Sequence, residues 1–277
     1  MLTYNTTSEA YLATLADVYE NYDYKASPRG QPIREKLDYT FRVLSPTADP
    51  IVTLDLERNK TIEDYTRKEM ALYNSCSNRV EDFAKASKFW EKLANPDGTI
   101  NSAYGYLIWK NKSHGCAFET ERIDAPGFIQ DVSANLIEAG GGSVKMTQPK
   151  MRTPWEWCLE SLKNDKETRQ AILRFNLPEH AYVGVKDFPC TTHGNWLIRD
   201  NKLHFTIVMR SNDLWLGSSF DIPFFCSLMD KMLEDLIPHY PTLVKGTYTH
   251  VAHSLHVYER DLKKVLKALG NKETSNE

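Results

Sequence analysis

The chain has 277 residues, 41% of them hydrophobic and 26% charged, the mixture of an ordinary globular protein long enough to bury a core without staples. Its 34 basic and 37 acidic side chains leave a net charge of −3, which argues against a protein that coats nucleic acid by bulk charge. Cys76, Cys116, Cys158, Cys190 and Cys226 are odd in number, scattered and free of any CxxC pair, so neither a disulfide framework nor a structural zinc site is expected.

The first twenty residues carry Tyr11, Leu12, Leu15, Val18 and Tyr19 near helical spacing and predict a helix. Acids come early there and no apolar run is continuous, so neither a signal peptide nor a membrane span is expected, and the expected compartment is a reducing cytoplasm. KASPRGQP reads as a loop. Residues 35–56 predict two strands, TFRVL and IVTLDL, split by the turn SPTADP. Residues 62–94 read as helical, and NPDGTINSAYG as turn and loop. Gly140-Gly141-Gly142 reads as a flexible loop without the spacing of a phosphate or dinucleotide fingerprint. Residues 154–164 open on a proline and predict an amphipathic helix. AILRFNL, NWLIRDNKLHFTIVMRSND and GTYTHVAHSLHVY predict strands, with RDNK as a tight hairpin turn. Residues 222–237 form an apolar helix, and a basic helix from Glu259 ends in the polar GNKETSNE. Without repeats, linkers or βαβ alternation, the expected architecture is α+β, in one domain over 1–277 with roughly the last ten residues as a tail.

As one thiol among five, Cys190 would more often be a packed structural residue than a nucleophile. Its setting is distinctive: it stands after Phe188-Pro189, where a strand begins. Twenty residues on come Arg210-Ser211-Asn212-Asp213, then Gly217 and Asp221. A strand ending in Arg-Ser delivers a guanidinium fork and a hydroxyl together, which suits a phosphate monoester.

With these segments the chain resembles the thymidylate synthase family, and within it the deoxycytidylate hydroxymethylases of phages. The residues that carry the resemblance are the cysteine, a hairpin, RSND and the later Gly217 and Asp221. Further matches fall in family order: SPRG at 27–30, Glu69 in its helix, INSAYGYLIW at 100–109, the PWEWCLESLKNDKETRQAIL segment with Arg169, and HSLHVYERDL with its H-x-Y. The resemblance implies a mixed β-sheet covered by helices, with one sheet face forming a homodimer interface. It implies a small-molecule nucleotide, 5,10-methylenetetrahydrofolate as co-substrate, no metal, and neither nucleic acid nor membrane as partner.

The implied chemistry is addition of the Cys190 thiolate to C6 of a pyrimidine, which makes C5 nucleophilic toward the folate's one-carbon unit. Hydride would then give a methyl group and water a hydroxymethyl group. Arg29, Arg210 and Ser211 would hold the 5′-phosphate, with Arg169 joining from the neighbouring subunit and Asn212 among the nucleotide contacts. Their charge would also favour the thiolate. His256 and Tyr258, on one face of a strand, would hold the sugar. Glu69 would move protons and Tyr104 would lie near the thiol. Asp213 would contact the base through its backbone and the folate through its carboxylate; Trp90 and Trp109 would line the folate pocket, with core packing as the alternative reading.

Asp221 stands where members that use uracil have Asn. A carboxylate accepts from the N4 amino group of cytosine and can share a proton with N3, so Asp221 points to cytidylate; it would also serve as a helix N-cap. The chain departs from the family at Gln170, where a second interface arginine is usual, and at Thr191. The polar GNKETSNE replaces an apolar lid, which tilts the expected outcome toward hydroxymethylation of dCMP. The alternatives are a reductive dCMP methylase, a CMP hydroxymethylase, or a silent nucleotide-binding homologue. His250, His253 and His256 have a strand spacing that puts neighbours on opposite faces, which disfavours a metal trio. Trp155 and Trp157 read as packing, and RDLKKVLK as a solvated helix face.

Overall fold

The computed structural model describes residues 1–112, 116–117, 120–123, 143–146 and 150–270. The Gly140–Gly142 loop and residues 271–277 of the polar tail lie outside the described residues. A mixed sheet of eight strands organises the chain. Its strands are β1 (Leu2–Tyr4), β2 (Tyr24–Ala26), β3 (Ile33–Val43) and, after the separate short pairs described below, β8 (Ile172–Arg174), β9 (Thr191–Arg199), β10 (Lys202–Met209), β11 (Asn212–Asp213) and β12 (Val244–Tyr258). The order is β1-β3-β12-β10-β9-β8, with β2 paired to β3 and β11 to β12. β4 (Cys116–Ala117) pairs with β7 (Lys150–Met151), and β5 (Thr120–Ile123) with β6 (Ser143–Met146).

The helices are α1 (Thr7–Glu20), α2 (Leu56–Ser75), α3 (Val80–Ala86), α4 (Tyr104–Trp109), α5 (Pro154–Asn164), α6 (Ser219–Leu236) and α7 (Leu262–Ala268). The core lies between the sheet and these helices. Trp196, Phe205, Ile207 and Tyr248 enter it from the strands, and Phe225, Leu228 and Met232 from α6. The other sheet face carries Asn195, Leu197, Thr206 and Val208, all partly exposed. The β9–β10 hairpin turns at Asp200 and Asn201, both at positive φ (47° and 57°), the backbone a tight two-residue turn requires. α5 starts at its proline behind a reciprocal Thr153–Glu156 capping box.

IVTLDL, expected as a strand, is not one. Its N–H groups go elsewhere: Val52 donates to the Ser8 hydroxyl at 2.9 Å, Thr53 to Asn59 at 2.7 Å and Leu54 to the Ala268 carbonyl at 2.9 Å. Asp55 then caps α2 through the Glu57 N–H at 3.0 Å, so that helix begins earlier than expected. The helical stretch over 62–94 is broken at Cys76, which adopts the left-handed conformation at φ 54°. α3 and a 3-10 turn over Lys88–Lys92 follow. NPDGTINSAYG is turn only as far as Ala103, because Tyr104 opens α4.

α2 and α4 touch so closely that a Cβ on Gly105 would meet the Tyr73 carbonyl oxygen at 1.8 Å. No rotamer change relieves a clash with backbone. Gly105→Ala is therefore expected to cost roughly 3 kcal/mol or more in urea unfolding. A loss below about 1 kcal/mol would mean that the two helices can separate freely.

Alternation along β3 and β12 shifts at Asp38, which sits at φ 50° opposite His253. Tyr39 and Phe41 face the core before the shift; beyond it Leu255 and Val257 do. His256 and Tyr258 thereby share the opposite orientation to Leu255 and Val257, as the H-x-Y spacing requires.

Candidate functional site

The hairpin explains the twenty-residue spacing between Cys190 and Arg210. β9 and β10 run antiparallel with Thr191 opposite Met209, so the residues just outside them meet. The Arg210 N–H donates to the Cys190 carbonyl at 2.8 Å. The Arg210 guanidinium donates to the carbonyls of Pro189 (3.1 Å) and Phe188 (2.5 Å) and lies 3.8 Å from the Cys190 sulfur. Tyr104, on α4, accepts at its hydroxyl from the Thr191 N–H (3.2 Å) and the Thr191 hydroxyl (2.9 Å). Burial pushes the Cys190 thiol up to about 11 against the pull of Arg210, with Asp221, Asp187 and Asp213 adding to the rise. Within this chain, then, burial outweighs the cation that was expected to favour the thiolate.

Sequence reasoning missed the brace behind this loop. The buried Asp187 carboxylate accepts from the Ser102 N–H (2.7 Å) and hydroxyl (2.5 Å), and its carbonyl accepts from the Asn101 amide (2.9 Å). This ties the start of α4 to the residues just before Cys190. Only the position of Asp187 in DFPC hinted at it.

Glu69 belongs to the inward stripe of α2, with Ile62, Thr66 and Tyr73. It is 8% exposed and accepts from the Tyr73 hydroxyl at 3.3 Å. Burial, then repulsion from Asp221, raise its carboxyl to about 8. Tyr65, one turn earlier, packs on Phe220 at 4.5 Å and accepts from the Trp90 indole N–H at 3.3 Å. Trp90 thus joins the cluster through Tyr65.

The linkage between Glu69 and stability has a definite sign. Unfolded, Glu69 ionises near 4.5; folded, it keeps its proton to about 8. Between these values the unfolded chain binds fewer protons, so this group lowers stability as pH rises through the window. Glu69→Gln is expected to stabilise the fold above pH 8 by a few kcal/mol, because each tenfold change in proton affinity is worth about 1.4 kcal/mol. The gap should close near pH 4.5. Melting temperatures of both chains across pH check this, and a gap independent of pH would contradict it.

Asp221 lies in the first turn of α6 and is not its cap, which is Ser218. Burial raises its carboxyl to about 6, against the opposing pull of an amide donor, with Asp213 adding to the rise. That donor is the Asn212 amide, 2.9 Å from Asp221 Oδ2. Asn212 Oδ1 accepts from the Ser218 hydroxyl at 2.5 Å and bonds the His250 Nε2 at 3.1 Å. His250 bonds the Tyr248 hydroxyl through Nδ1 at 2.7 Å. Asp213 accepts through Oδ1 from the N–H groups of Trp215 (2.9 Å) and Leu216 (3.1 Å), capping the π-helical turn Leu214–Ser218. Burial raises the Asp213 carboxyl, and His256 opposes that rise.

His256 is 6% exposed and meets Tyr258 edge to face at 5.4 Å. β11 lays Asp213 beside His256. Arg29 is exposed, left-handed at φ 53°, and its charge is felt at the Tyr258 hydroxyl. Ser211 is half-exposed, and Arg169 and Gln170 are exposed just before β8. Trp109 is not brought to this cluster. Its ring packs on Trp155 at 5.7 Å, and Trp155 in turn meets Trp196 at 6.2 Å. The three spaced histidines take separate paths: His250 bonds Asn212, exposed His253 bonds Asp38 at 2.7 Å, and His256 lies beside Ser254.

The thymidylate synthase family model matches residues 9–276. The deoxycytidylate 5-hydroxymethyltransferases of Enterobacteria phages T6 and T4 are each 26% identical over 205 residues, covering 72% of this chain and 68% of theirs. A thymidylate synthase of Clostridium beijerinckii is 23% identical over 256 residues, covering 92% of this chain and 78% of its own. The solved thermostable thymidylate synthase A of Bacillus subtilis superposes with a TM-score of 0.62 at 17% identity, over 97% of this chain and 85% of that one.

Proposed function

The chain belongs to the thymidylate synthase family, and from that premise we propose that it transfers a one-carbon unit from 5,10-methylenetetrahydrofolate to C5 of a pyrimidine nucleotide, with dCMP as substrate and 5-hydroxymethyl-dCMP as product. The observation that carries the reading is a carboxyl group at position 221 whose charge is felt at Cys190, Tyr104 and Glu69 alike. Similarity to phage deoxycytidylate 5-hydroxymethyltransferases supports the choice of base and of product. No described helix is long and apolar enough to cross a membrane.

Arg210, Ser211 and Arg29 take the 5′-phosphate. Arg210 spends Nε and Nη2 on the Pro189 and Phe188 carbonyls, which fixes the fork and leaves Nη1 for the phosphate. Arg169, exposed in one protomer, reaches the phosphate across a homodimer interface formed by the open sheet face. A phosphate-bound nucleotide sets C6 at Cys190. The thiolate adds there, and the electron pair of the C5–C6 double bond moves to C5. Asp221 engages the N4 amino group and N3, drawing density from C6. Glu69 holds its proton near neutral pH and serves as the proton carrier to and from the base. His256 and Tyr258 take the sugar.

The folate supplies the one-carbon unit as an electrophile. Two side chains offer a surface for a flat heteroaromatic group: Trp90, half-buried with its N–H on Tyr65, and Leu216, 50% exposed on the turn that Asp213 caps. Asp213 Oδ2 remains for the pterin. Trp109 is not assigned to the folate.

The test is release of tritium from dCMP labelled at C5. Release should require both the nucleotide and the folate. Absence of release would overturn one-carbon transfer, and release from dUMP alone would overturn the choice of cytosine.

A further inference from the structure

Beneath Asp221 lies a buried chain of polar side chains. With the Asn212 amide donating to Asp221 Oδ2, its oxygen is turned to His250 Nε2, so the neutral ring donates from Nε2 and Nδ1 takes the Tyr248 hydroxyl, 2.7 Å away. That N–H points at Asn212 Oδ1, 3.1 Å away, and the Ser218 hydroxyl donates to the same oxygen at 2.5 Å. The amide oxygen is therefore taken twice. Its NH₂ group faces Asp221 Oδ2, at 2.9 Å.

The ring is held in place as well. His250 is 1% exposed and stacks on Phe41 at 5.0 Å and 13°. Tyr248 is fully buried.

An NH₂ group can only donate, so the oxygen it faces has to accept. Oδ2 of Asp221 cannot carry a proton toward Asn212, and a donated hydrogen bond favours the ionised carboxylate. On the proposed function, cytosine N3 and Asp221 share one proton. Burial lifts the Asp221 carboxyl to about 6, and the Asn212 amide is the opposing influence, so its donated bond shifts the shared proton toward N3. A protonated N3 withdraws density from C6, the atom Cys190 attacks.

We propose that Asn212, His250 and Tyr248 form a positioning relay that keeps the shared proton on cytosine N3 and so activates C6 toward Cys190. This deepens the proposed function and rests on it. None of the three needs to touch the reacting atoms. They act through Asp221, and Ser218 supports them.

The experiment is nitrogen NMR of dCMP carrying ¹⁵N at N3, bound to the full-length chain, together with turnover of dCMP. In the unaltered protein the N3 signal should lie where a protonated, pyrrole-like nitrogen resonates. His250→Phe keeps the stack on Phe41 but removes the N–H that fixes Asn212. It should return N3 toward the neutral position and lower kcat by on the order of tenfold, with KM changing less than about threefold. Tyr248→Phe, nearly isosteric, should do the same to a smaller degree, and decides the matter if the histidine variant does not fold. A neutral N3 in the unaltered protein overturns the relay, as does a protonated N3 that neither variant moves. A merely structural role would weaken nucleotide binding and leave the N3 signal of the bound fraction unchanged. Failure of dCMP to bind at all would overturn the proposed function itself, and the relay with it.

Discussion

Replacing Cys190 with Ala is expected to lower folate-dependent release of tritium from C5 of dCMP by on the order of 10⁴-fold or more. The expectation follows from what the thiol does. Without a bond at C6, C5 of a pyrimidine is not a nucleophile, and no other group in the cluster can take that place. Tyr104 is buried, its hydroxyl is engaged by Thr191, and burial and then Cys190 itself push its pKa well above the ordinary tyrosine value, which makes it a weaker acid. Cys76 lies at the end of α2, and Cys158 and Cys226 are fully buried in the core. Cys190 is partly exposed, packs at the margin of the core and lies 3.8 Å from the Arg210 guanidinium, so losing the sulfur removes little packing. The alanine chain should therefore fold and bind nucleotide about as well as the original. Retained turnover would mean that no covalent adduct forms through Cys190.

Asp221→Asn is expected to shift preference from dCMP toward dUMP by on the order of 10³-fold or more in the ratio of kcat/KM values. The exchange is nearly isosteric, and the position keeps its bond from Asn212 because an amide oxygen can accept where Oδ2 did. What changes is the edge offered to the base. The carboxylate accepts from N4 and shares a proton with N3, whereas the amide can donate to O4 and accept from the N3–H of uracil. Sites built to satisfy buried polar groups discriminate strongly, because the wrong partner leaves them unpaired. Kinetics of both nucleotides with both chains measure the ratio. An unchanged preference would mean that Asp221 does not read the base.

The parts of this arrangement that were legible in the sequence are those fixed by local periodicity. The hairpin that joins Cys190 to Arg210 follows from two alternating runs around Asp200-Asn201. Glu69 falls on the inward stripe of a helix, so its burial could be read from spacing alone. The failures have physical causes. IVTLDL alternates like a strand, yet Ser8, Asn59 and Ala268 take its backbone donors. Cys76 stops α2 by adopting a left-handed backbone that no glycine announced. Trp109 could be read as a folate-pocket or a core residue, and the α4 helix turns it toward Trp155. The relay beneath Asp221 was hidden for a subtler reason. His250, His253 and His256 are evenly spaced, and only the irregularity at Asp38 decides which of them faces the core and which faces solvent. Tertiary packing alone sets His250 against Asn212.

The most direct measurement is the mass of the nucleotide formed from dCMP in the presence of 5,10-methylenetetrahydrofolate. A gain of one CH₂O unit on dCMP is expected, with no comparable conversion of dUMP. A gain of one CH₂ unit on dCMP would contradict water as the final acceptor, and an unchanged dCMP would contradict one-carbon transfer to this nucleotide altogether.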